Sequence, residues 1–447
     1  MQLVLKNRSM TPQQVLIIGF AIVILSGTIL LFLPISSATQ TSIGWINALF
    51  TATSAVSLTG LTVIDIGTNF SVFGQLIILL LIQIGGLGFM MFGVMFSLLL
   101  GKRITLKDRL LLQEATKSFS TQGMVKLAMH IILITFILEA FFAFILMVCW
   151  SSTLGWKTAT YQAIFHAISA FNNSGMSLYP NSLQAYLGAP LVNICITTLS
   201  MIGGIGFTVL LDIYYNRSWR KLSLHSKLIL LTSCILILVG FIIILSVEIS
   251  NPATLGELSW GKRIGAAWFQ AIAPRSSGFS TLATPTLLPP SLAFIMLLMF
   301  IGAGTGSTGG GIKINTFAVA IMTIVNLLKG NKDVNILKRR IDNQVAMHSL
   351  TIILLACSSI MLITWLILFL EGTSKYNYMA ILFEVVAAFG TAGLSMGITS
   401  ALPTIGKILL IATMFIGKVG PLTFAFALTT GTVERRIRYP EDKVLIG

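Results

Sequence analysis

The chain has 447 residues, of which 55% are hydrophobic and only 10% are charged. A soluble domain carries roughly 25% charged residues, so this composition excludes an ordinary soluble protein and indicates an integral membrane protein. The net charge of +15 does not indicate nucleic-acid binding, because bilayer-length apolar runs separate the basic residues and no aromatic RNA-binding signature accompanies them. The four cysteines lie inside apolar segments without CxxC spacing, which argues against a disulfide framework or a metal site.

Taken in chain order, eight apolar runs reach the roughly 20 helical residues that a bilayer crossing needs. They span residues 15–33, 73–100, 128–150, 191–214, 228–247, 293–328, 345–370 and 405–430. The first run is too long for the apolar part of a signal peptide, so we interpret it as a retained helix. Helix-like stretches between paired runs, such as 45–57 and 378–389, are too short to cross and predict re-entrant half-helices.

One pattern occurs four times: a glycine follows an aromatic residue by ten positions and precedes an apolar residue. The copies are FTATSAVSLTGL with Gly60, FHAISAFNNSGM with Gly175, WFQAIAPRSSGF with Gly278, and FEVVAAFGTAGL with Gly393. A second glycine cluster follows each copy: GGLGF from Gly85, GGIGF from Gly203, GAGTGSTGGG from Gly302 and GKVGP from Gly417. Two linked motifs in one order, four times over, indicate an internal fourfold repeat.

Charge placement predicts how these units are oriented. Twenty-one of the 29 Lys and Arg residues fall in the tails or in connectors between units, and only six fall in loops within units. By the positive-inside rule, both termini and all connectors are cytoplasmic, so every unit crosses out and back. We expect an all-α integral membrane protein of four parallel helix, pore half-helix, helix units with pseudo-fourfold symmetry. The units are 10–101, 124–216, 224–329 and 343–432, followed by a cytoplasmic tail at 433–447.

The four motif glycines predict ion conduction. Non-helical backbone at membrane depth is costly unless it is buried in protein or lines a water-filled cavity. Turns from four like-oriented units would converge on one axis, where their carbonyl oxygens could replace the hydration shell of a cation. The negative end of each half-helix would also favour a cation. Ordinary helix packing by small residues is the alternative, and for the clusters at Gly85 and Gly203 both interpretations stay open.

Together these motifs resemble the pore subunits of the Trk/Ktr/HKT superfamily of potassium transporters, most closely the KtrB-type branch of bacterial Ktr systems. The likeness covers nearly the full length, through SLTGL, NNSGM, RSSGF, GTAGL, the GGIGF-type helices and the glycine loop at Gly302. It implies eight spanning helices in the bacterial plasma membrane, and potassium preference where all four filter positions hold glycine. It also implies a homodimer on a ring of cytosolic nucleotide-binding regulatory subunits (KtrA/KtrC-type), with transport often aided by sodium.

The motifs place the expected filter residues in four short segments. These residues are Leu58, Thr59, Gly60, Asn173, Ser174, Gly175, Ser276, Ser277, Gly278, Thr391, Ala392 and Gly393.

A further segment, GAGTGSTGGGIK, interrupts the apolar run 293–328 with six glycines. It is not a phosphate-binding loop, because Ile312 follows the last glycine, Ile314 follows the lysine and no strand precedes it. The run exceeds one crossing, so we expect a broken helix with irregular backbone beside the pore. The resemblance implies an intramembrane gate loop, and a passive hinge is the alternative. The segment's candidate residues are Gly302, Gly304, Thr305, Gly306, Ser307, Thr308, Gly309, Gly310, Gly311 and Lys313.

Lys418 is a second basic residue inside an apolar run, where a charge is costly and marks a functional candidate. It could bond gate-loop carbonyls, pair with Glu384, or extend to an interface; the resemblance implies that it faces the pore and hinders leakage. Asp65 could attract cations at the pore mouth, and Arg275 could be held by a carbonyl. His166, on a half-helix, is as often structural as functional.

Other classes of function fit less well. The four histidines are scattered, and no HExxH, paired-carboxylate or Ser/His/Asp grouping supports a membrane enzyme. A transporter of organic substrates typically shows inverted repeats, whereas these repeats are parallel. We therefore expect no enzymatic activity and no covalent cofactor, with membrane lipid as surroundings, potassium as substrate and sodium as a candidate co-ion. The alternative within the superfamily is a sodium-selective or mixed potassium/sodium transporter.

Overall fold

The computed structural model describes residues 12–88, 124–275, 277–331, 333–371, 376–421 and 423. The predicted tail at 433–447, the connector between the first two units and the filter candidate Ser276 lie outside these residues.

Within the described residues the secondary-structure elements are helices, apart from one short hairpin. The helices are α1 (Pro12–Phe32), α2 (Trp45–Ser57), α3 (Ile66–Asn69), α4 (Val72–Leu87), α5 (Met124–Leu154), α6 (Trp156–Phe171), α7 (Pro190–Ile205), α8 (Phe207–Asn216), α9 (Leu224–Glu248), α10 (Trp260–Ile272), α11 (Pro289–Phe300), α12 (Ile314–Leu328), α13 (Asn343–Glu371), α14 (Tyr378–Gly390) and α15 (Thr404–Val419). Strands β1 (Val334–Ile336) and β2 (Arg339–Ile341) pair antiparallel.

Four of the described helices, α1, α5, α9 and α13, are each long and apolar enough to cross a bilayer alone. Only 28% to 33% of each apolar window is buried inside the protein. Such helices suit a lipid solvent, since a helix that is apolar on its outward faces needs no water-facing side. Each one opens a predicted unit, and the chain is a multi-pass membrane protein.

The second long run of the second predicted unit is not one helix. The run 191–214, predicted as one span, is divided into α7 and α8, which meet at Gly206 with a bend of 91°. Gly206 has φ +108°, which lies outside the helical region and favours glycine. The break expected in the run 293–328 is present, between α11 and α12.

Helices α2, α6, α10 and α14, here called the half-helices, form the centre of the molecule. Small alanines along them allow close packing, and in α14 every side chain from Ala380 to Gly390 except Leu382 is buried. The motif aromatics Phe50, Phe165 and Phe383 are also buried. In the third copy the buried ring is Phe269, the residue after the motif tryptophan.

The hairpin was not predicted from the sequence. Its two central residues, Leu337 and Lys338, have φ of 47° and 62°, as the tightest hairpin turns require. Arg340 pairs with Asp333 at 3.0 Å on its exposed surface.

Candidate functional site

Each half-helix ends in a turn that reverses the chain before the motif glycine. At three ends a non-glycine residue has positive φ: Leu58, Asn173 and Thr391. The following amide donates back to a carbonyl five residues earlier, as in the 2.9 Å bond from Thr59 N to Ser54 O. The second and fourth turns repeat this bond, at 2.8 Å from Ser174 N and 2.9 Å from Ala392 N. In the third turn Ser277 N donates to Ala273 O at 3.0 Å.

The motif glycine that follows each turn also has positive φ. The values are 81° for Gly60, 69° for Gly175, 74° for Gly278 and 73° for Gly393. This region is strained for residues with a Cβ, so the backbone path itself explains glycine at these four places.

The four turns meet in a closed ring. The spacing between turns is clear from where a Cβ would lie on each motif glycine. On Gly60 it would lie 2.2 Å from Ser174 O, and on Gly175 it would lie 2.7 Å from Ser277 O. On Gly278 it would lie 3.2 Å from Ala392 O, and on Gly393 it would lie 2.5 Å from Thr59 O. Every glycine therefore packs on a carbonyl of the next turn, and the fourth turn closes back on the first. The predicted filter segments are thus brought together, and the atoms nearest to each motif glycine are main-chain atoms of other turns.

On one side of the ring lies a cavity of about 430 Å³, here called the outer cavity. All four motif glycines border it, as do residues that follow them, including Ser177 and Ser395. Asp65 also lines the outer cavity, and its carboxylate accepts a hydrogen bond from Gly67 N at 2.8 Å. Because a carboxylate has further acceptor sites, Asp65 can attract a cation while it caps α3.

The glycine loop, residues 302–313, lies on the opposite side of the ring. Its two ends are joined by a 2.9 Å bond from Gly302 N to Ile312 O. The first half of the loop bonds to the C-terminal end of α7, in the second predicted unit: Gly304 N donates a hydrogen bond to Gly204 O at 2.8 Å. Phe207 N, just after the bend, donates to Gly306 O at 3.0 Å.

The second half of the glycine loop bonds to the fourth predicted unit. Gly310 N donates to Thr391 Oγ1 at 2.8 Å, and Gly311 N donates to Gly417 O at 3.2 Å. The loop therefore bridges two units on opposite sides of the ring.

Thr308, at the centre of the loop, is fully buried. Its Oγ1 lies 2.8 Å from the side-chain amide of Asn173, which places it directly behind the second turn. Its carbonyl oxygen accepts a hydrogen bond from Lys418 Nζ at 2.7 Å. Lys313 Nζ donates to the Gly309 carbonyl, so both lysines hold the loop backbone.

Of the alternatives for Lys418, the structure has the contact with a carbonyl of the glycine loop. Pairing with Glu384 is wrong, because that carboxylate is engaged elsewhere. It accepts from Ser395 Oγ at 2.5 Å, from Thr399 Oγ1 at 2.7 Å and from Met396 N at 2.9 Å. These bonds hold the segment that leaves the fourth turn against its own half-helix.

Arg275, just before the third turn, points away from the ring. Its Nη1 and Nη2 donate to Ser233 O at 3.3 Å and Ser233 Oγ at 3.1 Å. The guanidinium is therefore held by a carbonyl, the role considered for it from the sequence.

The second glycine clusters bring their helices against the ends of the half-helices. A Cβ on Gly85 would lie 2.2 Å from Val56 O. The same atom would lie 1.8 Å from Phe171 O on Gly203, and 2.0 Å from Phe389 O on Gly417. This is the close-packing role. Sequence reasoning missed a second role in GGIGF, where the Gly203 and Gly204 carbonyls also accept bonds from the glycine loop. The adjacent Gly206 was the available signal of a helix break.

The sequence of this chain is similar to those of known cation transport proteins. The family model described as TrkH, cation transport protein, matches residues 3–443. Ktr system potassium uptake protein B of Bacillus subtilis (strain 168) is 43% identical over 444 residues, which are 99% of this chain and 98% of that protein. The potassium/sodium uptake protein NtpJ of Enterococcus hirae is 34% identical over 446 residues, 99% of this chain and 98% of that protein.

A solved structure shows the same fold. The crystal structure of the potassium transporter TrkH from Vibrio parahaemolyticus matches with a TM-score of 0.71 and 18% identity, covering 95% of this chain and 86% of that chain. The prediction of a transporter and not an enzyme is confirmed by the family and by the relatives. The chain belongs to the TrkH family of cation transport proteins.

Proposed function

We propose that the chain carries potassium into the cell through a pore whose selectivity filter is the ring of four turns. The observation that carries this proposal is the cyclic packing of each motif glycine on a carbonyl of the next turn. The filter comprises the twelve residues expected from the motifs, including Ser276.

The chemistry of the ring suits a weakly hydrated cation. Main-chain oxygens can replace water around the ion, and glycine leaves the axis clear of side chains. The C-terminal ends of the four half-helices add partial negative charge beside the ring. Asp65 adds a carboxylate to the outer cavity. The name of the Bacillus subtilis relative, a potassium uptake protein, supports potassium as the substrate.

The proposed architecture has four parallel units with pseudo-fourfold symmetry, eight crossings and both termini in the cytoplasm. The cyclic order of the turns and one long apolar helix at the start of each unit support this arrangement. The concentration of basic residues in tails and connectors supports the orientation.

The glycine loop, with Lys418, is the proposed gate. It lies directly behind the ring and bridges the second and fourth units by main-chain hydrogen bonds. Glycine has the widest range of backbone conformations, so we expect the loop to move aside, without unfolding of the helices, once its hydrogen bonds to the second and fourth units break. Shortening residues 302–311 should therefore raise flux, and lower flux at normal expression would contradict a blocking loop.

The proposed assembly is a homodimer on a ring of nucleotide-binding subunits of the KtrA/KtrC type, with sodium-stimulated transport (symport). The relative named as a Ktr system protein supports a regulatory partner. The second candidate function is mixed potassium/sodium uptake, which the name of the Enterococcus hirae relative favours.

Growth of a potassium-uptake-deficient host on limiting potassium tests the main proposal. The wild-type chain should restore growth, and Gly278→Asp should abolish it, because a Cβ there already meets Gly175 Cα at 2.8 Å. Gly261→Asp, on the same half-helix beside the charged Lys262 and with nothing within 4 Å of its Cβ, is the matched control and should still restore growth. Full growth with Gly278→Asp would refute the filter. Vesicle flux with sodium and potassium varied separately then distinguishes the two candidate functions.

A further inference from the structure

His166 lies on half-helix α6, one residue after the motif phenylalanine, and is fully buried. Its Nδ1 is 2.8 Å from Gln162 O, and its Nε2 is 3.0 Å from Ser177 Oγ. A carbonyl oxygen only accepts, so Nδ1 carries a proton. In the neutral imidazole Nε2 is then the acceptor, and the Ser177 hydroxyl donates to it.

Ser177 is two residues beyond the filter glycine Gly175. Its Oγ also accepts a hydrogen bond from Tyr179 N at 3.0 Å, which fixes the hydroxyl's direction. One turn closer to the ring, Ser169 Oγ donates to Met176 O at 2.7 Å. The segment leaving the second turn is therefore tied to its own half-helix at two successive residues.

Aromatic rings fix the orientation of the imidazole. Tyr179 stacks on it at 5.1 Å and Trp150 meets it edge-on at 5.3 Å between ring centroids. Phe279, whose ring is 6.0 Å away, directly follows the filter glycine of the third turn. His166 thus contacts the exit segments of two neighbouring turns, and its ring has little freedom to follow a movement of either.

In the fourth unit the half-helix is also hydrogen-bonded to the segment that follows the filter glycine, but through a carboxylate and not an imidazole. Glu384 also follows its motif phenylalanine by one residue, and it accepts a 2.5 Å bond from Ser395, two residues beyond Gly393. The second and fourth turns face each other across the ring. The corresponding positions in the first and third units hold Thr51 and Phe269. The same bond thus occurs at opposite turns, made by a histidine in one and by a carboxylate in the other.

We propose that His166 is a positioning residue for ion selectivity: through the Ser177 hydroxyl it holds the second filter turn at the width that the transported cation requires. It touches no ion. This inference rests on the proposed filter function, and it assigns to the second unit a selectivity determinant outside the filter segments.

The test measures the ratio of potassium to sodium transport by purified protein in vesicles. Ser177→Ala removes one oxygen and should lower the ratio about fivefold, the factor that one hydrogen bond of ordinary net strength supplies. His166→Phe should lower it similarly, and the double variant should be no worse than either single one, because both remove the same bond. His166→Gln, which places an amide near the Nε2 position, should recover most of the ratio.

Two further variants make the outcome decisive. Thr160→Val removes a 2.7 Å hydroxyl bond to Trp156 O on the exposed face of the same half-helix, and it should leave the ratio unchanged. Gly175→Ser changes the filter itself. If Gly175→Ser alters the ratio while Ser177→Ala does not, the positioning role is overturned and the filter stands. If Gly175→Ser also leaves the ratio unchanged, the filter proposal fails, and the role of His166 fails with it.

Discussion

Alanine substitutions at Gly393 and Gly155 distinguish two effects of an added Cβ: steric crowding within the ring, and the strain of a positive φ. Both have φ of +73°, so alanine at either site must adopt a positive φ, which costs a residue with a Cβ about 1–3 kcal/mol. At Gly155 the new Cβ would meet nothing within 4 Å. At Gly393 it would lie 2.5 Å from Thr59 O and 2.9 Å from Gly278 Cα.

The crowding at Gly393 has a definite size. A carbon normally approaches a carbonyl oxygen to about 3.3–3.6 Å, so the Thr59 carbonyl would have to move by roughly 0.8 Å. Binding geometries tolerate about 0.5 Å, so the ring should lose its fit to potassium. We expect Gly393→Ala to lower the ratio of potassium to sodium uptake in vesicles by about tenfold or more, equivalent to about 1.4 kcal/mol. Gly155→Ala should leave that ratio unchanged. Equal ratios for the two variants at equal expression would refute the reasoning.

Three other substitutions test the surroundings of the ring. Lys418→Met removes the 2.7 Å bond to Thr308 O, and one hydrogen bond is worth about 0.5–1.5 kcal/mol, so vesicle flux should rise by about two- to tenfold. Reduced flux would contradict a gating role. Gly206→Ala places a Cβ 2.8 Å from Thr305 O on a residue with φ of +108°, so the unfolding temperature in detergent should fall. An unchanged unfolding temperature would contradict the close contact between Gly206 and the glycine loop. Glu384→Leu removes the acceptor of three hydrogen bonds, at about 1–3 kcal/mol for each buried donor left without a partner, and should unfold at lower temperature than Glu384→Gln. Equal temperatures would show that the carboxylate's bonds contribute little.

Membrane class, the four motif copies and the positions of the motif glycines were all predictable from residue order. These features depend on local properties: the length of apolar runs against the thickness of a bilayer, and a backbone angle that favours glycine. The half-helices at 45–57 and 378–389 were predictable for the same reason, since they are helical segments too short to cross.

Contacts between distant segments depended on packing in three dimensions. A glycine pair has the same sequence whether it packs two helices together or breaks one helix. Only the folded chain therefore shows the 91° bend at Gly206 and the hydrogen bond between the glycine loop and Gly204. The same holds for the partners of Lys418 and Glu384, where the sequence allowed a pairing that the fold does not make. Hydrogen bonds need donor and acceptor within about 3 Å, and only the packing of the helices decides which groups come that close.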